Sequence, residues 1–200
     1  MIPKIPSQNK FNLNFGYSTD LLEVPEDPQS VSDYCDKCVQ WINAEMEKNE
    51  NDWDIKTLVT VLGQVAAYMK MIRDLDSALE FIKTALSLIE QYDFGIKQFV
   101  AQSLRWADIL RYRGELAESE EIFISILEMC DQESEVKVYK DVALQHLGKL
   151  YFDLGEYAEA MNYFEKALAI RKIKKEQSLI DSTVLAIEAT LLKIEESLRS

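Results

Sequence analysis

Two cysteines three residues apart, Cys35 and Cys38, are the first residues whose types and spacing suggest chemistry. A Cys-x-x-Cys pair can exchange thiol for disulfide or supply half of a four-ligand zinc site. Inside a helical pattern, however, the same spacing places both thiols on one apolar face with Val31 and Ile42. A zinc site would also need ligands from distant parts of the chain, because the sequence has no second close pair. We therefore predict buried structural thiols and no metal site.

The single histidine, His146, is the other candidate, because any histidine acid, base or nucleophile relay must pass through it. Its neighbours Gln145 and Lys149 supply no nucleophile, and the sequence has neither a glycine-rich phosphate loop nor a nucleophile elbow. The 35 aspartates and glutamates are expected to lie on solvated helix faces. The sequence therefore predicts a protein that is not an enzyme and that uses no cofactor.

The composition restricts the class of partner and the compartment. The 35 acidic and 22 basic residues give a formal net charge of -13, which repels phosphate backbones and anionic membranes. No apolar run approaches the roughly 18 residues of a membrane span, and the first residues resemble no targeting peptide. Three cysteines form no disulfide framework and fit a reducing compartment. We expect a cytoplasmic protein that binds neither nucleic acid nor a membrane.

An internal repeat specifies the scaffold that carries these residues. Similar stretches begin at Asp74, Glu115 and Glu156, at intervals of 41 residues. A fixed period of about 20 to 50 residues is typical of a solenoid, in which each repeat buries its apolar face against its neighbours. The sequence therefore predicts three repeats, between about residues 59 and 181.

Each repeat is predicted to be two helices, because its apolar residues recur at intervals of three and four. Gly114 and Gly155 stand between the two helices, where a helix end needs a residue that tolerates positive φ, and Arg73 stands there in the first repeat. Small residues recur where the two helices must approach closely. They are Ala66, Ala107 and Gly148 in the first helices and Ala78, Ser119 and Ala160 in the second.

The third repeat contains a motif of large and small residues, Leu144-x-x-Leu147-Gly148-x-x-Tyr151, followed by Ala160, Phe164 and Ala167. This motif resembles the tetratricopeptide repeat, although that family has a period of roughly 34 residues and often a proline where Glu90, Asp131 and Lys172 stand here. The extra length corresponds to about one turn per helix. The resemblance implies an all-α, right-handed α-solenoid of antiparallel helical hairpins, with about three repeats, flanking helices and a concave groove lined by the first helices.

The concave positions of that family, transferred to this register, predict a peptide-binding groove. It comprises Gln64, Lys70 and Met71 in the first repeat, Arg105, Asp108, Arg111 and Tyr112 in the second, and Gln145, His146, Lys149 and Phe152 in the third. Basic residues outnumber acidic ones in this set, in contrast to the whole protein. We therefore predict that the groove takes an acidic or carboxylate-bearing segment, with Arg105, Arg111 and Lys149 pairing to its oxygens.

The segments outside the repeats are assigned separately. Residues 28–200 are predicted to form one repeat domain, ending in a capping helix over about 177–198. The run from Arg171 to Lys175 is predicted to end a helix, where cations meet exposed carbonyl groups, with an anion-binding patch as the second interpretation. Residues 1–27 hold three of the four prolines and are predicted to be an extended arm. The arm either packs loosely outside the repeats or lies in the chain's own groove as a built-in ligand.

The sequence thus predicts a non-catalytic adaptor or scaffold that binds a partner peptide or protein segment in its concave groove. Two alternatives are left open. One is a structural protein that self-associates through its capping helix or convex face, and the other is a regulatory domain that senses a peptide.

Overall fold

The computed structural model describes residues 3–199, and within that range the chain forms eight α-helices. They are α1 (Pro28–Met46), α2 (Ile55–Met71), α3 (Leu75–Gln91), α4 (Ile96–Arg113), α5 (Leu116–Gln132), α6 (Lys140–Asp153), α7 (Tyr157–Lys174) and α8 (Gln177–Arg199). Short 3₁₀ helices lie at Gln8–Lys10, Glu50–Asp52 and Lys137–Tyr139. The prediction of an all-α solenoid of consecutive helical hairpins is confirmed. No helix within residues 3–199 combines the length and apolarity that a bilayer span requires.

A small β-hairpin precedes the helices. Strands β1 (Phe15–Tyr17) and β2 (Glu23–Pro25) pair antiparallel, with Tyr17 opposite Glu23. The contacts within the chain define two compact units. The N-terminal unit comprises residues 3–18 and 23–113, and the C-terminal unit comprises residues 19–22 and 114–199. The tip of the hairpin therefore belongs to the C-terminal unit, whereas both strands belong to the N-terminal unit.

Aspartate side chains fix where three helices of the N-terminal unit begin. Asp27 accepts a hydrogen bond from the backbone N–H of Ser30, ahead of Pro28 at the first helical position of α1. Asp54 and Asp74 cap α2 and α3 in the same way. Each of these three helices therefore begins at an aspartate N-cap.

The turns between paired helices adopt the left-handed backbone that the sequence predicted. Gly114 and Gly155 have φ values of 81° and 78°, and Arg73, at the equivalent position of the first repeat, has a φ of 69°. A side chain in this region costs roughly 1 to 2 kcal/mol. The first repeat therefore retains the same turn geometry at an energetic cost that the two glycines avoid.

The core of the N-terminal unit lies among α1, α2, α3 and α4. Its fully buried side chains include Cys38, Leu58, Leu62, Ile82 and Ile109. In the C-terminal unit α5 packs against α6, α6 against α7 and α7 against α8. Each unit thus has an apolar interior that holds the first helices of its own repeats in place.

All three cysteines are free and buried, as predicted for Cys35 and Cys38. Burial raises the pKa of Cys35 to about 12 and also raises the pKa values of Cys38 and Cys130. Because the thiolate is the reactive form, all three thiols are expected to react with Ellman's reagent at pH 8 only as the protein unfolds. The rate with and without urea checks this, and rapid native-state reaction of any one thiol would contradict it.

Gly148 lets α6 approach α7 closely, as the small-residue pattern predicted. A Cβ added at this position would lie 2.5 Å from two ring carbons of Phe164, which is itself fully buried. Gly148→Ala is therefore expected to lower the free energy of unfolding by about 1–3 kcal/mol through overpacking. Gly16→Ala is the matched control, because its Cβ would meet nothing within 4 Å. Urea unfolding of both variants measures the difference, and equal effects would contradict the packing argument.

Candidate functional site

The N-terminal unit contains a buried cluster of charges contributed by α2 and α4, the first helices of successive repeats. Lys70 lies in the last turn of α2, and its Nζ donates to the Oδ2 of Asp108 on α4. The Nε of Arg111 donates to the other oxygen, Oδ1, of the same carboxylate at 3.0 Å. A single aspartate thus binds two cations, and all three side chains are shielded from water.

Opposing effects set the charge state of Lys70. Burial by itself would lower the pKa of this amine, but the carboxylates of Asp108 and Glu23 raise it above its usual value. Lys70 is therefore a fixed positive charge at neutral pH. A fixed cation with little access to water favours binding of a carboxylate.

The arm supplies the second carboxylate of this cluster. The Oε2 of Glu23, the first residue of β2, lies 2.8 Å from the Nζ of Lys70. The backbone N–H of Glu23 donates to the hydroxyl oxygen of Tyr112 at 2.7 Å, and the Nη2 of Arg73 donates to the backbone carbonyl of Glu23 at 3.2 Å. Three side chains of the repeats therefore bind the carboxylate, the amide and the carbonyl of one extended residue. We refer to Lys70, Arg73 and Tyr112 as the glutamate clamp.

Tyr112 organises the clamp through its ring as well as its hydroxyl group. The charged groups of Lys70, Arg73 and Arg111 lie 4.6, 4.7 and 4.8 Å from the ring centroid. Such cation–π contacts hold the three cations close to the ring of Tyr112. Tyr17, opposite Glu23 in the hairpin, is packed into the same region, and burial followed by the charge of Glu23 raises its pKa to about 12. Its phenol therefore stays neutral across the physiological range.

The tip of the hairpin occupies an apolar pocket in the C-terminal unit. Leu21 is only 1% exposed and is the one fully buried side chain among residues 3–27. It packs in one cluster with Phe152 of α6, Ala160 and Phe164 of α7, and Ala186 of α8. Its backbone has a φ of 56°, which is unfavourable for a branched side chain. We call this cluster the leucine pocket; its lining holds Leu21 in place despite the strained backbone.

A second buried charge cluster lies in the C-terminal unit, around Asp141 of α6. The Nε of Arg171 donates to its Oδ2 at 3.0 Å, and the Nζ of Lys174 donates to its Oδ1. Nη1 of Arg171 also donates to Gln145 at 3.0 Å and to the hydroxyl of Thr183 at 2.7 Å. Arg171 thereby joins α6, α7 and α8 through side-chain hydrogen bonds.

The two buried charge clusters correct two predictions. The run from Arg171 to Lys175 was expected to meet the exposed carbonyls at the end of a helix, and α7 does end at Lys174. Arg171, however, is buried against a carboxylate from another helix, because its side chain turns back into the unit. The expectation that carboxylates lie on solvated faces was also wrong for Asp108 and Asp141, which are 3% and 0% exposed.

The structure distributes the predicted groove residues among several environments. Lys70, Asp108, Arg111 and Tyr112 form one cluster, whereas Phe152 lines the leucine pocket. Arg105, predicted to bind a partner's oxygens, donates to the carbonyl of Ala101 and to Gln102 of its own helix. The remaining predicted residues, Gln64, Met71, Gln145, His146 and Lys149, are buried or half-buried.

His146 has a packing role in the structure. Its ring stacks on Phe123, with the centroids 5.3 Å apart and an interplanar angle of 8°.

Nowhere in residues 3–199 do three or more histidine, cysteine or acidic side chains come together in a way that could hold a metal ion.

Four functional candidates were missed by the sequence reasoning: Leu21, Glu23, Arg73 and Tyr17. Lys70 and Arg111, which are 41 residues apart, were predicted because equivalent positions of successive repeats face the same side, but this signal does not extend to Arg73. The arm contains three leucines, Leu13, Leu21 and Leu22, and two glutamates, Glu23 and Glu26, so its composition does not single out Leu21 and Glu23.

Comparison with known proteins supports the repeat assignment. A family model described as "Tetratricopeptide repeat" matches residues 99–173. A search of the curated proteins found no match. Among solved structures, the crystal structure of BtubC (BKLC) from P. vanneervenii is similar, with a TM-score of 0.53 and 15% sequence identity over 86% of this chain and 82% of that chain. At this identity the likeness concerns the fold alone.

Proposed function

We propose that this chain, a tetratricopeptide repeat protein over residues 99–173, is a non-catalytic adaptor that binds an acidic, extended segment of a partner protein at the glutamate clamp. Tetratricopeptide repeats generally mediate protein–protein interaction. We infer that the bound segment is acidic and extended from the contacts of Glu23.

The binding of Glu23 is the observation that carries the proposal. Lys70 contacts its carboxylate, and Tyr112 and Arg73 contact its backbone N–H and carbonyl. The two backbone contacts do not depend on the side chain of the bound residue, and they require an extended main chain. The charge contact selects glutamate or aspartate. A clamp that recognises one residue of its own arm in this manner has the chemistry to recognise a partner's residue in the same manner.

The proposal is tested by capture of partners from an extract of the source cells. Wild type is compared with the double variant Arg73→Ala/Tyr112→Phe, which removes both backbone contacts without changing a buried charge. We expect at least one partner that wild type retains and the variant loses by tenfold or more.

Lys37→Ala/Tyr92→Phe is the matched control, because it also removes one cation and one phenol hydroxyl elsewhere in the N-terminal unit. Lys37 is exposed, and the hydroxyl of Tyr92 donates to Glu50 on the surface of the unit. Circular dichroism establishes equal helix content for all three proteins. A set of partners that is identical for wild type and both double variants would refute binding at the clamp.

A second candidate function is self-association through α8. Leu185, Leu191 and Leu192 of this helix are 40%, 46% and 61% exposed, and burying them against a second copy would remove apolar surface from water. Light scattering should then show a mass that rises with protein concentration and falls in Leu185→Glu/Leu192→Glu. A constant monomer mass up to millimolar concentration would exclude this function.

A further inference from the structure

The leucine pocket is filled by a residue that lies outside the repeats in sequence. Its lining comes from three consecutive helices: Phe152 from α6, Ala160 and Phe164 from α7, and Ala186 from α8. Two of these side chains are small and two are aromatic, and all four are buried in one cluster with Leu21. The pocket therefore has the composition of a site for one branched aliphatic side chain.

The present occupant is held in an unfavourable backbone conformation. Leu21 has a positive φ of 56°, whereas the residues on either side of it, Asp20 and Leu22, do not. A leucine from a separate segment can enter the pocket with an ordinary backbone and avoid this strain. The pocket thus accepts the leucine side chain well, but the connection through the tip of the hairpin is strained.

Removal of Leu21 would leave the helices of the C-terminal unit with their other contacts. Asp141, Arg171 and Lys174 remain paired, and Gly148 remains packed against Phe164. None of these contacts involves the arm. When the tip leaves the pocket, the helices lose the packing of Leu21 but keep these ion pairs and the close approach at Gly148.

From these observations we propose that the leucine pocket is a second binding site, which accepts a leucine side chain from a partner's segment, and that Leu21 of the arm is a tethered competitor for it. The inference concerns a different cluster of residues from the glutamate clamp and goes beyond the acidic segment proposed above. A tethered occupant has an effective concentration on the order of millimolar, so it weakens binding of any untethered ligand.

The experiment uses the full chain and a synthetic, fluorescein-labelled peptide with the sequence of residues 15–26. Fluorescence anisotropy measures its dissociation constant for wild type and for Leu21→Ser, in which the arm loses its apolar anchor. We expect Leu21→Ser to bind the peptide at least tenfold more tightly than wild type does. Val24→Ser is the matched control, because Val24 is 47% exposed in the same hairpin, and it should bind like wild type.

Two substituted peptides separate this inference from the proposed function. A peptide carrying the Leu21→Ser change tests the leucine pocket, and one carrying Glu23→Gln tests the glutamate clamp. The inference predicts at least tenfold weaker binding of the first peptide to the Leu21→Ser chain. A loss confined to the second peptide would support the clamp and overturn the leucine pocket.

Three further results would also overturn the inference. One is equal affinity of wild type and Leu21→Ser for the unchanged peptide, which would show that Leu21 does not compete. Another is no measurable binding of that peptide to the Leu21→Ser chain. The last is a wild-type dimer that dissociates in Leu21→Ser, because the arm would then fill the pocket of a second copy.

Discussion

Replacing Arg171 by methionine is expected to lower the free energy of unfolding by about 3–5 kcal/mol, because it leaves a buried carboxylate without its main partner. Asp141 is fully buried, and the side chain of Arg171 is only 4% exposed. The substitution also removes the donor that Gln145 and Thr183 share. Lys174 still contacts Asp141, which places the expected loss toward the lower end of the range. Urea unfolding followed by circular dichroism measures the change.

Two further variants distinguish burial of charge from loss of helix-forming residues. Lys172→Met removes an exposed cation from the same turn of α7 and should change the free energy of unfolding by no more than about 0.5 kcal/mol. Asp141→Leu/Arg171→Met should be more stable than Arg171→Met alone, because no uncompensated charge remains buried. Equal stability of Arg171→Met and Lys172→Met would show that the buried pairing of Arg171 does not stabilise the C-terminal unit.

Replacing Asp108 by alanine is expected to have a comparable effect in the N-terminal unit, also about 3–5 kcal/mol. Lys70 and Arg111 both pair with this carboxylate and are themselves buried. Without it, burial opposes the charge on Lys70, and Glu23 is left as its remaining carboxylate partner. The loss should appear in urea unfolding at pH 7.

The pH dependence of this effect follows from the direction of the pKa shift. The pKa of Lys70 is raised in the folded protein, so its contribution to stability is complete below the ordinary lysine pKa and declines only as the pH rises through the raised value. The difference between wild type and Asp108→Ala should therefore be constant from pH 6 to 9. Asp76→Ala is the control, because its side chain is 92% exposed and paired at the surface with Arg113. If Asp108→Ala lowered the free energy of unfolding no more than Asp76→Ala does, the buried cluster would not be stabilising the N-terminal unit.

The helices and their ends were predictable because the signals are local. The periodicity of apolar residues, the cap at Asp54 and the glycines at 114 and 155 each act within one or two turns of the chain. The burial of Cys35 and Cys38 was predictable for the same reason, because their spacing placed both thiols on the apolar face of α1.

Burial of the charged residues was not predictable from local signals. Asp141 and Arg171 lie 30 residues apart in sequence, and Lys70 and Asp108 lie 38 apart. Whether each is buried depends on a partner from another helix, because an unpaired charge would have to remain in water. The family register did place Lys70, Asp108, Arg111 and Tyr112 on one side of the repeats, since equivalent positions recur at a fixed period.

The contacts of the arm were the least predictable part. Its hairpin lacks the Asn-Gly or Asp-Gly turn that marks a two-residue connection, so the pairing of Tyr17 with Glu23 has no local sequence signal. The positions of Leu21 and Glu23 depend on a pocket and a clamp formed by residues from Lys70 to Ala186. The sequence could therefore leave open, but not decide, whether the arm lies against the repeats.

The glutamate clamp is tested most directly by calorimetric titration of the residue 15–26 peptide into a full chain that carries Glu23→Lys. This substitution places a like charge against Lys70 and so frees the clamp from the arm. We expect the peptide to bind this chain, and we expect the addition of Arg73→Ala/Tyr112→Phe to weaken the affinity by tenfold or more. Equal affinity with and without the two clamp substitutions would contradict recognition of an acidic segment by Lys70, Arg73 and Tyr112.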